Sequence, residues 1–160
     1  MTATTDDGQT GEVLAGLRAL GETLPFNQRL GVRVRRLEVG YAEAELPFDE
    51  GLTNHVGGVH AIAELAPVEL AGALAASSRL HELVAAGHVP VVAGITVRYR
   101  APVDGALVAS ARVGEEAVAP ARAAVAAGER PRLDVDVEVH DEAGTLAVRA
   151  TCTFVYLAPQ

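Results

Sequence analysis

Residues 54–70, NHVGGVHAIAELAPVEL, hold a histidine and two glutamates at spacings that can support acid–base chemistry. His60 precedes Glu64 by four positions and Glu69 by nine, and the residues between them are otherwise apolar. A carboxylate in apolar surroundings is costly unless it is neutralised or hydrogen-bonded, and a raised pKa suits a general acid or base. The segment is therefore either the start of a core helix or a reaction centre built on one.

The apolar residues in and after this segment predict a long central helix from about His60 to Ser77. On such a helix Glu64 lies about 40° from His60 and Glu69 about 180°, so the two glutamates do not share one site. We interpret Glu64 as an acid of the first helical turn, near a surface or interface, favoured there by the helix dipole. The alternative to a chemical role for Glu69 is that it lies at an interface and pairs with an arginine. A metal site formed by His55, His60 and Glu64 is not favoured, because the spacing matches no strong metal signature.

The loop before this helix has the residue types of a tightly folded binding loop. Gly57 and Gly58 permit positive φ and close backbone approach, and Asn54 can both donate and accept hydrogen bonds. The N–H groups around Ala61 and Ile62 lack intrahelical acceptors at a helix start. They are therefore candidates to bind negative charge that develops on a carbonyl oxygen.

The rest of the chain predicts the elements that position this segment. Residues 1–10 are polar and expected to be disordered, and a short amphipathic helix is expected over 12–24. Alternating patterns predict two strands before the central helix and four after it, interrupted by an inserted Ala-rich segment over 114–131. This order predicts one α+β domain over 11–160, with a single antiparallel sheet wrapped around the long helix.

Composition excludes several classes of partner. The 160 residues carry a net charge of −8, which disfavours nucleic acid and anionic membrane surfaces. The single cysteine, Cys152, rules out an internal disulfide and a multi-cysteine zinc site, and its apolar strand context predicts a buried position. No apolar segment is long enough to span a bilayer and the N-terminus is unlike a secretory signal, so we expect a cytoplasmic protein.

Three segments and one spacing motif carry a resemblance to a known family. The segments are LPFNQRLGVRVRRLEVGYAEAELPF, RYRAPVDGALVASARV and VEVHDEAGTLAVRATCTFV, and the motif is an Asn, a His six residues later and a Glu nine beyond it. Over about residues 25–157 the chain resembles hotdog-fold acyl-CoA thioesterases of the phenylacetic-acid-degradation type and related uncharacterised hotdog domains.

The resemblance implies hydrolysis of an acyl-CoA or another acyl thioester. Glu69 would act as general base or nucleophile, His60 and Asn54 would orient thioester and water, and the N–H of Ala61 would bind the oxyanion. The family's site lies at a dimer interface, so a homodimer or a dimer of dimers (homotetramer) is implied, with no cofactor beyond the CoA of the substrate. Because His60 and Glu69 lie on opposite sides of an ideal helix, the second subunit must bring them together.

The remaining candidates for substrate binding lie in the loop, at the helix start and on a later strand. They are Gly57, Gly58 and Ile62 near the thioester, and Arg98 and Arg100, on one strand face, for the phosphates of CoA.

Two of the departures from the family pattern bear directly on the site segment. Ala61 and Ile62 replace the usual Gly-Gly after the histidine, and Pro67 is expected to kink the central helix. Two alternative functions therefore stay open: a non-catalytic domain that binds acyl thioesters or lipids, and an enoyl-CoA hydratase or dehydratase.

Overall fold

The computed structural model describes residues 4–159 of the chain. The helices are α1 (Thr4–Thr23), α2 (Pro25–Leu30), α3 (Leu65–Arg79), α4 (His81–Ala85) and α5 (Glu115–Ala126), with a short 3-10 helix at Glu50–Leu52. The strands are β1 (Arg33–Glu38), β2 (Tyr41–Leu46), β3 (Val89–Tyr99), β4 (Leu107–Arg112), β5 (Arg132–Asp141) and β6 (Leu146–Leu157). They form one six-stranded antiparallel sheet in the order β1-β2-β4-β5-β6-β3.

The alternating pattern of β5 places one set of side chains in the core and the other in solvent. Leu133, Val135, Val137 and Val139 are buried, as the period of two predicts. On the opposite face the hydroxyls of Thr151 and Thr153 in β6 donate to Asp136 and Asp134. This face is therefore polar and cross-linked between strands, and the core lies only on the other side of the sheet.

Helix α3 lies on the apolar face of the sheet and packs mainly against β2, β4 and β5. A Cβ atom at Gly72 would lie 3.1 Å from the ring of Phe154, so glycine lets the helix approach the sheet closely. Most residues of α3 are buried, including Val68, Leu70 and Leu74. These contacts confirm the predicted α+β fold, in which one antiparallel sheet wraps a long central helix.

The start of α3 differs from the prediction, because the helix begins at Leu65 and not at His60. Residues 60–64 form a tight turn in which the N–H groups of Ala63 and Glu64 donate to the carbonyl oxygen of His60. Pro67 is then the third helical residue, where a backbone N–H would have no intrahelical acceptor anyway. The expected kink at Pro67 is therefore wrong, and the helical angles calculated from His60 do not apply.

The first helix is also longer than predicted. It begins at Thr4, whereas the sequence predicted a helix over 12–24 after a disordered segment over 1–10. Extending an existing helix fixes few additional torsions, so the first turns can continue from a helix that is anchored by the packing of Leu17. Residues 1–3 of the predicted disordered segment lie outside the described residues.

The Ala-rich segment 114–131 contains α5, whose Arg122 pairs with Glu82 of α4 at 2.6 Å and with Glu115. Within residues 4–159, no helix combines the length and apolarity needed to cross a membrane.

Candidate active site

A cavity of about 810 Å³ lies where the loop before α3 meets the segment that follows β3. Its walls include the predicted site residues Asn54, Gly57, Gly58, Ala61 and Arg100. The fold therefore joins two segments about forty positions apart in sequence, and both contribute polar groups to one concave space.

Asn54 organises the loop that forms one wall of the cavity. Its Oδ1 accepts hydrogen bonds from the N–H groups of Val56 (3.0 Å) and Gly58 (3.2 Å), and its Nδ2 donates to the carbonyl oxygen of Val59 at 3.2 Å. The Asn54 side chain thus provides hydrogen-bond partners for backbone groups of the turn, as an asparagine at the start of a turn commonly does. In this structure the Asn54 side chain shapes the loop, which is a different role from the predicted orientation of substrate.

The two glycines of the loop are required for different reasons. Gly57 has a φ of 86°, which L side chains rarely adopt. Gly58 lies against Val103, where an added Cβ atom would be 2.9 Å from the carbonyl oxygen. The same oxygen accepts the N–H of Val59 at 2.7 Å. The loop is thus held against the segment after β3 by a contact that only glycine permits.

The turn after this loop leaves one backbone donor available. The N–H of Ile62 donates to Nδ1 of His60 at 3.1 Å. Within residues 4–159, the N–H of Ala61 has no hydrogen-bond acceptor. Of the two donors that the sequence suggested, Ala61 is therefore the one free for a ligand. An imidazole that accepts at Nδ1 is neutral and carries its proton on Nε2.

Glu64 is buried, which contradicts its assignment to a surface or an interface. It immediately precedes α3, its side chain is 4% exposed, and it makes no capping hydrogen bond. Its Oε2 atom is sealed from solvent without a partner among the described residues. Burial raises the pKa of this carboxyl to about 7. Glu64 precedes α3, which begins only at Leu65, and it is one of the residues that line the cavity together with Ala61.

Glu69 lies outside this cavity, on an exposed part of α3 between the partly buried Leu65 and Ala73. Desolvation raises the pKa of its carboxyl, and its charge adds to the effect of burial in raising the pKa of Cys152 to about 11. Glu69 is therefore close to β6, and Cys152 is buried as predicted. Within one chain, Glu69 does not join Asn54 and Ala61 in a single site.

Three other predicted site residues, His60, Ile62 and Arg98, lie outside the cavity. His60 is exposed, and Ile62 is 67% exposed and does not line the cavity. Arg98 lies in a separate hollow beside Asp136 and Glu138, on the polar side of the sheet. Arg98 and Arg100, which were expected on one strand face, line different hollows, and β3 ends at Tyr99 between them.

Two residues of the cavity were missed or misassigned from the sequence. Tyr99 was not among the candidate site residues, yet its hydroxyl donates to the carbonyl oxygen of Ala61 at 2.7 Å. Burial, and secondly the charge of Glu64, raise the pKa of Tyr99. The signal for Glu64 was present as a single carboxylate with apolar neighbours on both sides. Among residues 4–159, no three His, Cys, Asp or Glu side chains are arranged to hold a metal ion.

Comparison with known families identifies the chain. The family described as a domain of unknown function (DUF4442) matches residues 15–156. The chain belongs to this family. No curated protein matches it.

Solved structures share the fold over nearly the whole chain. A protein of unknown function from Pseudomonas aeruginosa, a probable thioesterase, is 25% identical, with a TM-score of 0.74 over 88% of this chain and 92% of its own. A thioesterase from Haemophilus influenzae is 21% identical, with a TM-score of 0.70 over 91% and 90% of the two chains. The Escherichia coli PaaI protein, from the phenylacetic acid degradation operon, is 14% identical, with a TM-score of 0.72 over 94% and 97%. The predicted resemblance to hotdog-fold proteins is thus confirmed, and this DUF4442 chain has the hotdog fold.

Proposed function

We propose that this DUF4442 protein hydrolyses acyl thioesters, with acyl-CoA as the substrate class, at a site completed by a second copy of the chain. The observation that carries the proposal is the free N–H of Ala61 in a cavity bounded by a glycine-containing loop. The likeness to hotdog proteins that include thioesterases supports the reaction type.

The chemistry needs one base and one oxyanion donor. Glu69 removes a proton from water, and the resulting hydroxide adds to the thioester carbonyl carbon. The carbonyl oxygen gains negative charge and is stabilised by the N–H of Ala61. The C–S bond then breaks, and the acid and the free thiol are released after proton transfer to the sulfur. The raised pKa of Glu69 makes its carboxylate a better base than a solvated glutamate.

A second subunit is required because one chain does not bring these groups together. Glu69, His60 and Ile62 are all exposed on the single chain. Strand β3 pairs only with β6 among the described residues, and its Val89 and Val91 are 55% and 38% exposed. A homodimer would cover these apolar groups and bring Glu69 of one chain towards the cavity of the other. Arg100 is the cation in the cavity wall that is suited to the phosphates of CoA.

The deciding experiment is a thiol-release assay over a panel of acyl-CoA chain lengths. We expect Glu69→Gln to lower kcat by about 10²–10⁴-fold, which is the usual cost of losing a general base. The control is Glu129→Gln, which makes the same change at an exposed position outside the site. His60→Ala is expected to lower kcat/KM less than Glu69→Gln does. Unchanged thiol release in Glu69→Gln would reject the mechanism.

Binding of acyl thioesters without hydrolysis is the second candidate. Both polar atoms of the Asn54 side chain are hydrogen-bonded within the loop, and this engagement favours binding without hydrolysis. Saturable binding of acyl-CoA to the wild type without any thiol release would establish this candidate in place of hydrolysis.

A further inference from the structure

Glu64 is a buried acid that the proposed hydrolysis does not use. Its side chain is 4% exposed, and its Oε2 has no hydrogen-bond partner among residues 4–159. An unpartnered polar atom at such depth costs about 1–3 kcal/mol, so its presence calls for a ligand or a proton. Burial alone accounts for the raised pKa of Glu64. No cation among the described residues is paired with its carboxyl group.

The position of Glu64 relates it to the oxyanion donor. Glu64 and Ala61 belong to the same turn, and both line the same cavity. The titratable or charged groups on the facing segment are Tyr99, Arg100 and Asp104. The hydroxyl of Tyr99 is already used on the carbonyl oxygen of Ala61. Arg100 is the other side-chain donor on this segment, and the proposed function assigns it to the phosphates of CoA.

We propose that the protonated carboxyl of Glu64 is a second hydrogen-bond donor to the thioester carbonyl oxygen, and so a catalytic residue beside the N–H of Ala61. This inference rests on the proposed function. The proton stays on Glu64 throughout. The hydrogen bond from its O–H group to the carbonyl oxygen becomes stronger as negative charge develops on that oxygen. A neutral carboxylic acid in an apolar site can serve as an oxyanion donor in this way. Glu69 acts on water and Glu64 on the carbonyl oxygen, so the two glutamates have opposite protonation requirements.

The proposal predicts that carbonyl recognition is lost as Glu64 ionises. Burial raises the pKa of this carboxyl to about 7, so the neutral form predominates at pH 6. Two pH units above the pKa, only about 1% of the donor form remains, so the contribution of this hydrogen bond to affinity is almost entirely lost. A fixed donor such as an amide would show no such dependence.

The test uses two hydrolysis-resistant CoA analogues of equal chain length, with dissociation constants measured by calorimetry from about pH 5.5 to pH 9. In the ketone analogue a methylene group separates sulfur from a carbonyl, and the S-alkyl analogue lacks the carbonyl. We expect the wild type to prefer the ketone by about 3–10-fold at low pH, as for one net hydrogen bond, and to lose the preference at high pH. Glu64→Gln keeps a donor and should show the preference at every pH, whereas Glu64→Leu should show none.

Matched variants separate this inference from folding and from the proposed function. Melting temperatures and the Glu129→Gln control identify a general loss of structure. A ketone preference in Glu64→Leu, or a preference in the wild type that does not change with pH, would overturn the inference. Binding of both analogues without any ketone preference overturns it while leaving hydrolysis to the thiol-release assay. If neither analogue binds the wild type at low pH, the substrate class and this inference both fail.

Discussion

The hydroxyl of Tyr99 donates a hydrogen bond of 2.7 Å to the carbonyl oxygen of Ala61. Tyr99 is the last residue of β3 and Ala61 belongs to the turn before α3, so this bond joins the two walls of the cavity. It also fixes the peptide that follows Ala61 while the N–H of the same residue remains free. The position of the proposed oxyanion donor therefore depends on a strand that lies at the far edge of the sheet.

Tyr99→Phe tests this dependence directly. We expect kcat/KM to fall by about 3–10-fold with a loss of stability of at most about 1 kcal/mol, because one partly exposed hydrogen bond is removed. Thiol-release kinetics and thermal melting measure the two effects. Tyr41→Phe is the control, since it removes a tyrosine hydrogen bond to Glu43 away from the cavity. Equal kinetic effects in the two variants would contradict the role assigned to Tyr99.

Gly58→Ala should disturb the cavity by displacing the loop from Val103. The added Cβ atom would lie 2.9 Å from a backbone oxygen, so the loop must shift, at a cost of about 1–3 kcal/mol in the free energy of unfolding. Gly16→Ala is the control, because its Cβ atom meets nothing within 4 Å on the exposed side of α1. That change should stabilise the protein by about 0.5–1 kcal/mol. Denaturant unfolding of both variants checks the opposite signs, and a neutral Gly58→Ala would show that the contact is not required.

The acidity of Glu64 predicts a specific effect of pH on stability. The pKa of its carboxyl is about 7 in the folded state against 4.5 as the ordinary value. Below the unfolded value both states are protonated, so Glu64 adds no dependence on pH there. Between these two values the unfolded state releases its proton first, and folding becomes less favourable as pH rises. Above pH 7 the penalty is constant, at on the order of 1–3 kcal/mol.

Glu64→Gln removes this penalty, since an amide does not ionise. We expect the difference in unfolding free energy between the variant and the wild type to grow in favour of the variant from about pH 4.5 to pH 7, and then to level off. Other titrating groups cancel in this difference. Urea unfolding at several pH values measures it, and a difference that stays constant with pH would show that Glu64 is ionised or solvated in the folded chain.

Ile62→Asp tests the proposed second subunit. Ile62 is 67% exposed on the single chain, and a charge there would be buried without a partner if another copy covers it. We expect the homodimer to dissociate at concentrations where the wild type is dimeric, as measured by sedimentation velocity, and thiol release to fall with it. Leu20→Asp makes the same change at a residue 55% exposed on α1 and should leave the assembly intact. A dimer that is stable in both variants would place the interface elsewhere.

Much of the fold was predictable because it depends on patterns that are local in the chain. The period of two in Leu133–Val139 determines which face of β5 is buried, and the apolar run after Pro67 predicts a central helix that the sheet must cover. The positions of Gly57 and Gly58 likewise predicted a tightly folded loop, because few other residues allow that backbone.

The sequence by itself determined the order of elements, the apolar faces and the residue types available for chemistry. The tertiary structure decided which of those residues meet. It separated Arg98 from Arg100, brought Tyr99 to Ala61, and placed Glu64 in the cavity while leaving Glu69 exposed. The physical reason is that the starting residue of a helix depends on packing as well as on propensity. Because α3 starts five residues later than predicted, the side chains of residues 60–64 point in other directions than a helix would give them.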